Sequence, residues 1–160
     1  MLLIEAFQSA LNEWDWDDEI EHDESDSTDF MRTSLSLHEQ SFSFVVWTDQ
    51  ARQWIGLSLR SPLIIPEIRR DTAAILCNFL NAGMRIGKFV AYPADGGVCF
   101  EQIIDIEGSD PTSQLFSNLR IAAESAFGEK RFAAFVDVAL TDRDIEVIIG
   151  DFLEAVNPSE

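Results

Sequence analysis

The chain has few histidines and cysteines, which many catalytic and metal sites require. Its 160 residues include only two histidines and two cysteines. His22 falls in an acidic run and His38 in a predicted turn, so they form no ligand cluster, and the cysteines lack zinc-site spacing. Asp-Gly-Gly at 95–97 precedes a strand and lacks the Lys and Ser/Thr of a phosphate-binding loop. The sequence therefore predicts no enzyme, no catalytic residue, no metal site and no cofactor.

Basic residues are scarce as well. Lys and Arg number 11 against 29 Asp and Glu, which gives a formal net charge of −18. Residues 1–31 contain 11 acidic residues and no base. Nucleic acid and anionic membrane surfaces should repel such a chain, whereas basic protein surfaces would attract it. The alternative is that the acidity only keeps the chain in solution.

The acidic run at 15–29 does not fit a calcium-binding loop. An EF-hand loop needs Gly at its sixth position, but loops that start at Asp15 or Asp23 have Ile20 or Thr28 there. Non-specific binding of divalent cations remains open.

No apolar run approaches the roughly 20 residues that span a bilayer. The first residues carry Glu5 and Glu13 and no base, unlike a signal peptide. We therefore expect a cytoplasmic protein with no membrane contact. Cys77 and Cys99 lie inside predicted elements, and we interpret them as buried, reduced thiols. A disulfide between them is the less favoured alternative.

Apolar residues, by contrast, are plentiful at 46%, and 12 of them are Phe. This composition predicts one folded domain over residues 1–160. Hydrophobic spacing divides it into an N-terminal helix (1–14), an acidic linker or irregular strand entry (15–29), a core (30–154) and a tail (155–160). The element order is α-βββ-α-ββ-α-α, which predicts an α+β domain with an antiparallel sheet and flanking helices.

Turn and cap signals place several boundaries. The sequence predicts a helix from Pro66 to Asn81 and a later one that begins at Asp110-Pro111 and is interrupted near Gly128. The last helix is predicted to open at Thr141. Between them, a hairpin should pair Phe89 with Phe100, Ala91 with Val98 and Lys88 with Glu101.

Alternating residues in the first three strands predict their register. The rows expected to face the core are Leu37–Phe42–Leu59, Leu35–Phe44–Leu57 and Thr33–Val46–Ile55. The rows expected on the opposite face are Ser36–Ser43–Ser58, Ser34–Val45–Gly56 and Arg32–Trp47–Trp54.

The last of these rows is the most specific surface signal. Arg and Trp side chains that stack on each other are enriched in protein contacts. We therefore predict a protein-binding surface formed by Arg32, Trp47 and Trp54, with Trp14 and Trp16 as further candidates. The alternative is that the N-terminal helix or the acidic linker covers this row, with Trp14 or Trp16 packed beside it.

The block from Pro66 to Asp105 resembles the YbjN-like family of bacterial sensory transduction regulators. The matching motifs are Asn78-Phe79-Leu80-Asn81, Gly87-Lys88-Phe89 and Asp95-Gly96-Gly97-Val98-Cys99-Phe100, and the resemblance extends over residues 30–139. It implies a fold similar to type III secretion chaperones, often homodimeric, with a cytoplasmic and regulatory or chaperone-like role. No catalytic residue carries over from the family.

Together these observations predict a non-enzymatic, protein-binding regulatory or chaperone-like domain. The alternative is a sensor domain that binds a small molecule or a metal. The expected partner is a protein whose identity the sequence does not reveal. A homodimer is also expected, from the family and from a sheet edge that should be exposed.

Overall fold

The structure is a computed structural model that describes residues 2–158. Within this range it has five α-helices and one six-stranded antiparallel sheet. In chain order the elements are α1 (Leu3–Glu13), β1 (Glu21–Asp23), β2 (Thr28–Leu37), β3 (Gln40–Asp49), β4 (Trp54–Ile64), a 3-10 turn (Glu67–Arg69), α2 (Arg70–Ala82), β5 (Lys88–Ala91), β6 (Gly97–Asp105), α3 (Ser113–Ala126), α4 (Glu129–Leu140) and α5 (Ile145–Val156). The predicted α+β class is confirmed, and the structure adds the short strand β1.

The strands are arranged in the order β1-β2-β3-β4-β6-β5, and every neighbouring pair is antiparallel. Between β4 and β5 the chain leaves the sheet to form α2, and β6 then inserts beside β4. The β5–β6 hairpin pairs Phe89 with Phe100, Ala91 with Val98 and Lys88 with Glu101, which confirms the predicted register.

The predicted register of β2, β3 and β4 is wrong by two residues in each hairpin. Leu35 pairs with Phe42 rather than Phe44, and Phe44 pairs with Leu59 rather than Leu57. Because side chains alternate between faces, a shift of two leaves each residue on its predicted face. The core-facing residues of β3 and β4 are accordingly buried, namely Phe42, Phe44, Val46, Ile55, Leu57 and Leu59.

The error in the first hairpin arises from its turn. Leu37 pairs with Gln40, so only His38 and Glu39 connect the strands. Both have positive φ, 51° and 60°, as a tight two-residue hairpin turn requires. Asn-Gly or Asp-Gly usually fills such positions, and His-Glu gives no comparable signal.

Phenylalanine side chains join the helices to one face of the sheet. Phe7 of α1 stacks on Phe116 of α3, with ring centroids 5.0 Å apart. Phe127 lies 5.1 Å from both Phe42 of β3 and Phe89 of β5. All five side chains are almost fully buried, so this aromatic layer forms the centre of the hydrophobic core.

Several helix boundaries differ from the prediction. The segment from Pro66 opens with a 3-10 turn before α2 begins at Arg70. The next helix begins at Ser113, because Asp110 and Pro111 belong to the preceding loop, and Gly128 separates α3 from α4 as expected. The last helix begins at Ile145, with Asp144 rather than Thr141 before its first turn.

The terminal segments also differ in part from the prediction. Within the predicted linker 15–29, β1 pairs with residues 28–30 of β2. The predicted tail begins within α5, which extends to Val156. Met1, Ser159 and Glu160 lie outside the described residues.

The side chain of Asn81 forms hydrogen bonds with the backbone of β5 at one edge of the sheet. Tyr92 donates its backbone N–H to Gly97 O, so by alternation the amide and carbonyl of Phe89 point away from β6. Asn81 Nδ2 donates to Phe89 O at 2.9 Å, and Phe89 N donates to Asn81 Oδ1 at 2.6 Å. The side-chain amide thus takes the place of a neighbouring strand at the edge that was expected to be exposed.

We predict that Asn81→Ala destabilises the fold and promotes association. Two hydrogen bonds are lost and an edge amide and carbonyl become unpaired, which should lower the free energy of unfolding by about 1–3 kcal/mol. Urea unfolding and light scattering measure the two effects. Asn118→Ala is the control, because Asn118 is also helical and its side-chain amide oxygen accepts only from Gln114 at the surface. Equal losses in the two variants would contradict the role of Asn81.

Candidate functional site

The candidate site lies on the face of the sheet opposite the helices. Arg32, Trp47 and Trp54 are all on this open face, but they do not form one row. They occupy three successive rows: Arg32 opposite Val45, Trp47 between Phe30 and Gly56, and Trp54 opposite Asp49. The corrected register therefore brings Phe30 beside Trp47, a neighbour that the sequence analysis missed.

Trp47 lies across the neighbouring strand at Gly56. A Cβ atom added to Gly56 would lie 2.1 Å from Trp47 Cε2 and 2.2 Å from Cζ2. The indole can lie this close to the backbone of β4 only because Gly56 has no side chain. One side of the ring rests on β4, and the half-buried ring turns its other side away from the sheet.

A groove with a volume of about 370 Å³ runs past these aromatic side chains. We call its floor the tryptophan face, defined as Phe30, Arg32, Trp47, Arg52 and Trp54. The groove is lined by Asp23, Asp26, Thr28, Phe30, Arg32, Val45, Trp47, Asp49, Arg52 and Trp54.

The loop between β3 and β4 holds Arg52 against Trp54. Asp49 accepts hydrogen bonds from Arg52 N at 2.9 Å and Arg52 Nη1 at 2.8 Å. These contacts, the backbone amide first, hold the pKa of the Asp49 carboxyl below its usual value. The guanidinium lies 5.5 Å from the Trp54 ring centroid, a distance typical of cation–π contacts. The Arg52 side chain is thereby positioned beside Trp54, although 63% of that side chain and 36% of Trp54 are exposed.

Two aspartates of the acidic segment form the rim of the groove. Asp23 Oδ1 accepts from Ser25 N and Ser25 Oγ, at 2.9 and 2.6 Å. Asp26 Oδ1 accepts in the same way from Thr28 N and Thr28 Oγ1, at 3.1 and 2.6 Å. The Ser25 hydroxyl contributes most to keeping the pKa of Asp23 below its usual value. Both carboxylates are therefore positioned by local turns.

Trp14 and Trp16 lie on the other side of the sheet. Their rings contact each other edge to face, with centroids 4.8 Å apart, and Trp16 also contacts the core residue Phe44. The Arg120 guanidinium lies 4.7 Å from the Trp14 ring and 5.3 Å from the Trp16 ring. Trp14 Nε1 donates to Ser117 Oγ at 2.9 Å. The structure thus does not bring these two residues to the tryptophan face.

A second polar cluster, which the sequence analysis missed, lies near the β5–β6 turn. Arg60 Nη2 donates to Asp95 Oδ2 at 2.6 Å. The backbone N–H of Gly97 contributes first, and Arg60 second, to lowering the pKa of Asp95. Tyr92 donates its hydroxyl to Glu101, which raises the pKa of Tyr92 to about 12. Arg60 carried no motif in the sequence, because only its pairing with Cys99 of β6 places it beside this turn.

The thiols are poorly suited to nucleophilic chemistry. Both cysteines are buried, as expected, and they form no disulfide with each other. Burial raises the pKa of Cys77 to about 12 and also raises that of Cys99.

Among residues 2–158, no three His, Cys, Asp or Glu side chains converge in a metal-binding group. In the same range, no helix is long and apolar enough to cross a membrane.

We predict that Gly56→Ala displaces the Trp47 indole. The new methyl group would overlap the ring, so the variant should lose about 1–3 kcal/mol of stability. Acrylamide should also quench more of the Trp fluorescence. Gly150→Ala is the control, since nothing lies within 4 Å of its added Cβ, and it should stabilise α5 by about 0.5–1 kcal/mol. Unchanged quenching in Gly56→Ala would contradict the close approach.

We also predict that stability falls as the pH rises above about 9. Unfolded Cys77 ionises around its ordinary pKa of 9.0, whereas the folded thiol stays protonated up to about 12. Alkaline pH therefore favours the unfolded state throughout this window. Urea unfolding at several pH values should show a smaller decline for Cys77→Ala than for the wild type. An identical decline would count against a buried thiol at this position.

Comparison with known protein families gives no match, and comparison with curated proteins gives none. Solved structures do show similarity to the chain. YbjN from E. coli, a proposed transcription regulator, is 11% identical with a TM-score of 0.48, over 79% of this chain and 88% of that one. A chain of the ExsC–ExsE complex is 15% identical with a TM-score of 0.45, over 79% of this chain and 92% of its own length. The chain is thus structurally similar to YbjN, the namesake of the family that the Pro66–Asp105 block resembles.

Proposed function

We propose that this chain is a non-enzymatic, protein-binding domain with a regulatory or chaperone-like role, and that the tryptophan face binds the partner. The observation that carries the proposal is the pair of indoles, Trp47 and Trp54, on a sheet face that the helices leave open. Trp and Arg, together with Tyr, are the residues most enriched among the energetically dominant contacts of protein interfaces.

The rigidity of the face supports this role. Trp47 rests on Gly56, and Arg52 is held by Asp49 while it lies beside Trp54. Side chains that are already ordered lose little conformational entropy when a partner binds. The face can therefore contribute contact area at low entropic cost.

Trp14 and Trp16 have a different part in the proposal. They pack beside Arg120 and reach the core through Phe44. We propose that they anchor the start of the acidic segment, which then leads to β1 and the groove rim. On this interpretation they act on the partner site only through the position of that segment.

The proposal includes a cytoplasmic location and, from the family resemblance, a homodimer. Two free, buried cysteines suit a reducing compartment. Light scattering at tens of micromolar tests the dimer, and a monomer mass would contradict it.

The alternative, a small-molecule sensor, would use the groove, whose volume is in the usual range for ligand sites. A thermal-shift screen with metals and metabolites separates the two, because a specific ligand should raise the melting temperature.

We predict that Trp47→Ala/Trp54→Ala loses the partner. Affinity purification from a lysate of the source organism compares this variant with the wild type, after circular dichroism has shown that both are folded. Truncation of two central aromatic residues should weaken binding at least about tenfold. Ile121→Ala/Leu140→Ala is the control, because both residues are exposed on helices away from this face. If the tryptophan variant retains the same proteins as the wild type, the face is not the binding surface.

A further inference from the structure

We propose that the partner segment bound by the tryptophan face is basic, with a Lys or Arg side chain over the outer side of the Trp47 indole. This inference rests on the proposed function and adds the chemistry of the partner. Three features carry it: the carboxylates around the groove, their fixed positions, and an indole that no cation of this chain occupies.

Carboxylates stand on both sides of the aromatic floor. Asp23 and Asp26 line the groove on the side of β1. Across the sheet, Asp105 pairs with Trp54 and therefore projects from the same face. Asp49 is neutralised by its ion pair with Arg52, and only the guanidinium of Arg32 balances the others within the groove. A cationic segment would be attracted here, and an acidic one would be repelled.

The two rim carboxylates are available to a partner. Asp23 and Asp26 accept their local hydrogen bonds through Oδ1, so the second oxygen of each can accept from an ammonium or guanidinium group. Because these turns fix the carboxylates before binding, little reorganisation is needed when a cation arrives.

Trp47 supplies the aromatic surface for the cation. Trp54 already has Arg52 beside its ring, and Phe30 has Arg32 at 6.0 Å. No cation–π contact within residues 2–158 involves Trp47, whose inner side rests on Gly56. An ammonium over its outer side would gain a cation–π contact while it remains close to the acidic rim.

The test uses two synthetic peptides of about 12 residues, the length of a short recognition segment. One repeats Lys-Val-Ser and the other repeats Glu-Val-Ser, and both have blocked ends. Fluorescence anisotropy of the labelled peptides measures binding to the full chain. We expect the Lys peptide to bind, with an affinity that falls several-fold between about 0.05 and 0.2 M salt. We expect the Glu peptide not to bind.

Variants distinguish binding of the Lys peptide at this groove from non-specific attraction of a basic peptide to an acidic protein. Asp23→Asn/Asp26→Asn keeps the oxygen that closes each turn and removes two charges, and it should weaken binding about three- to tenfold. Glu146→Gln/Glu154→Gln removes the same charge from exposed positions on α5 and should have no effect. Trp47→Leu should weaken binding by a similar factor, whereas Tyr92→Leu, at an exposed aromatic residue outside the groove, should not.

Several results would overturn the proposal. Equal weakening by the aspartate and glutamate pairs would show attraction to the overall charge only. Binding of the Glu peptide, or no effect of Trp47→Leu, would assign a different chemistry to the face. Self-association that is lost in Trp47→Leu would assign the face to a second copy of this chain. If the Lys peptide fails while Trp47→Ala/Trp54→Ala still loses its partner, the protein-binding function stands and the basic segment is wrong.

Discussion

The rest of the structure depends on the burial of one face of the sheet under a layer of phenylalanines. Phe42 and Phe89 point from the strands into this layer, and Phe127 contacts both from the helical side. Full burial of one such side chain stabilises the folded state by roughly 1.5–3 kcal/mol. Because side chains alternate along a strand, the same strands must present their other residues on the opposite face, which the helices leave open.

The character of the open face follows from close packing between neighbouring strands. Gly56 lets the Trp47 indole rest on β4, and the Asp49–Arg52 pair holds the next loop against Trp54. Neither arrangement contributes much to the core, and both keep large side chains ordered next to solvent. This packing fits the proposed role of the face in binding a partner, and the acidic segment that contains β1 would give the face the proposed preference for a basic segment.

Sequence periodicity and turn chemistry predicted different parts of the fold with different success. Gly96-Gly97 marked the β5–β6 turn, and the pairing of Phe89 with Phe100 followed correctly. The His38-Glu39 turn carries no such mark, so the pairing of Leu35 came out two residues away. The predicted face of each residue is nevertheless correct, because an even shift preserves alternation. The predicted cross-strand neighbours are wrong, so Phe30 was missed as a neighbour of Trp47.

The sequence by itself determined the α+β class, the face on which the residues of β2, β3 and β4 lie, and the burial of the two cysteines. These follow from local periodicity and composition, which act within a few residues. The tertiary structure alone decided that Trp14 and Trp16 lie across the sheet from Trp47, that Arg52 stacks on Trp54, and that Asn81 closes the β5 edge. Each of these depends on where a turn or a helix places distant residues, and short-range patterns carry no information about that placement.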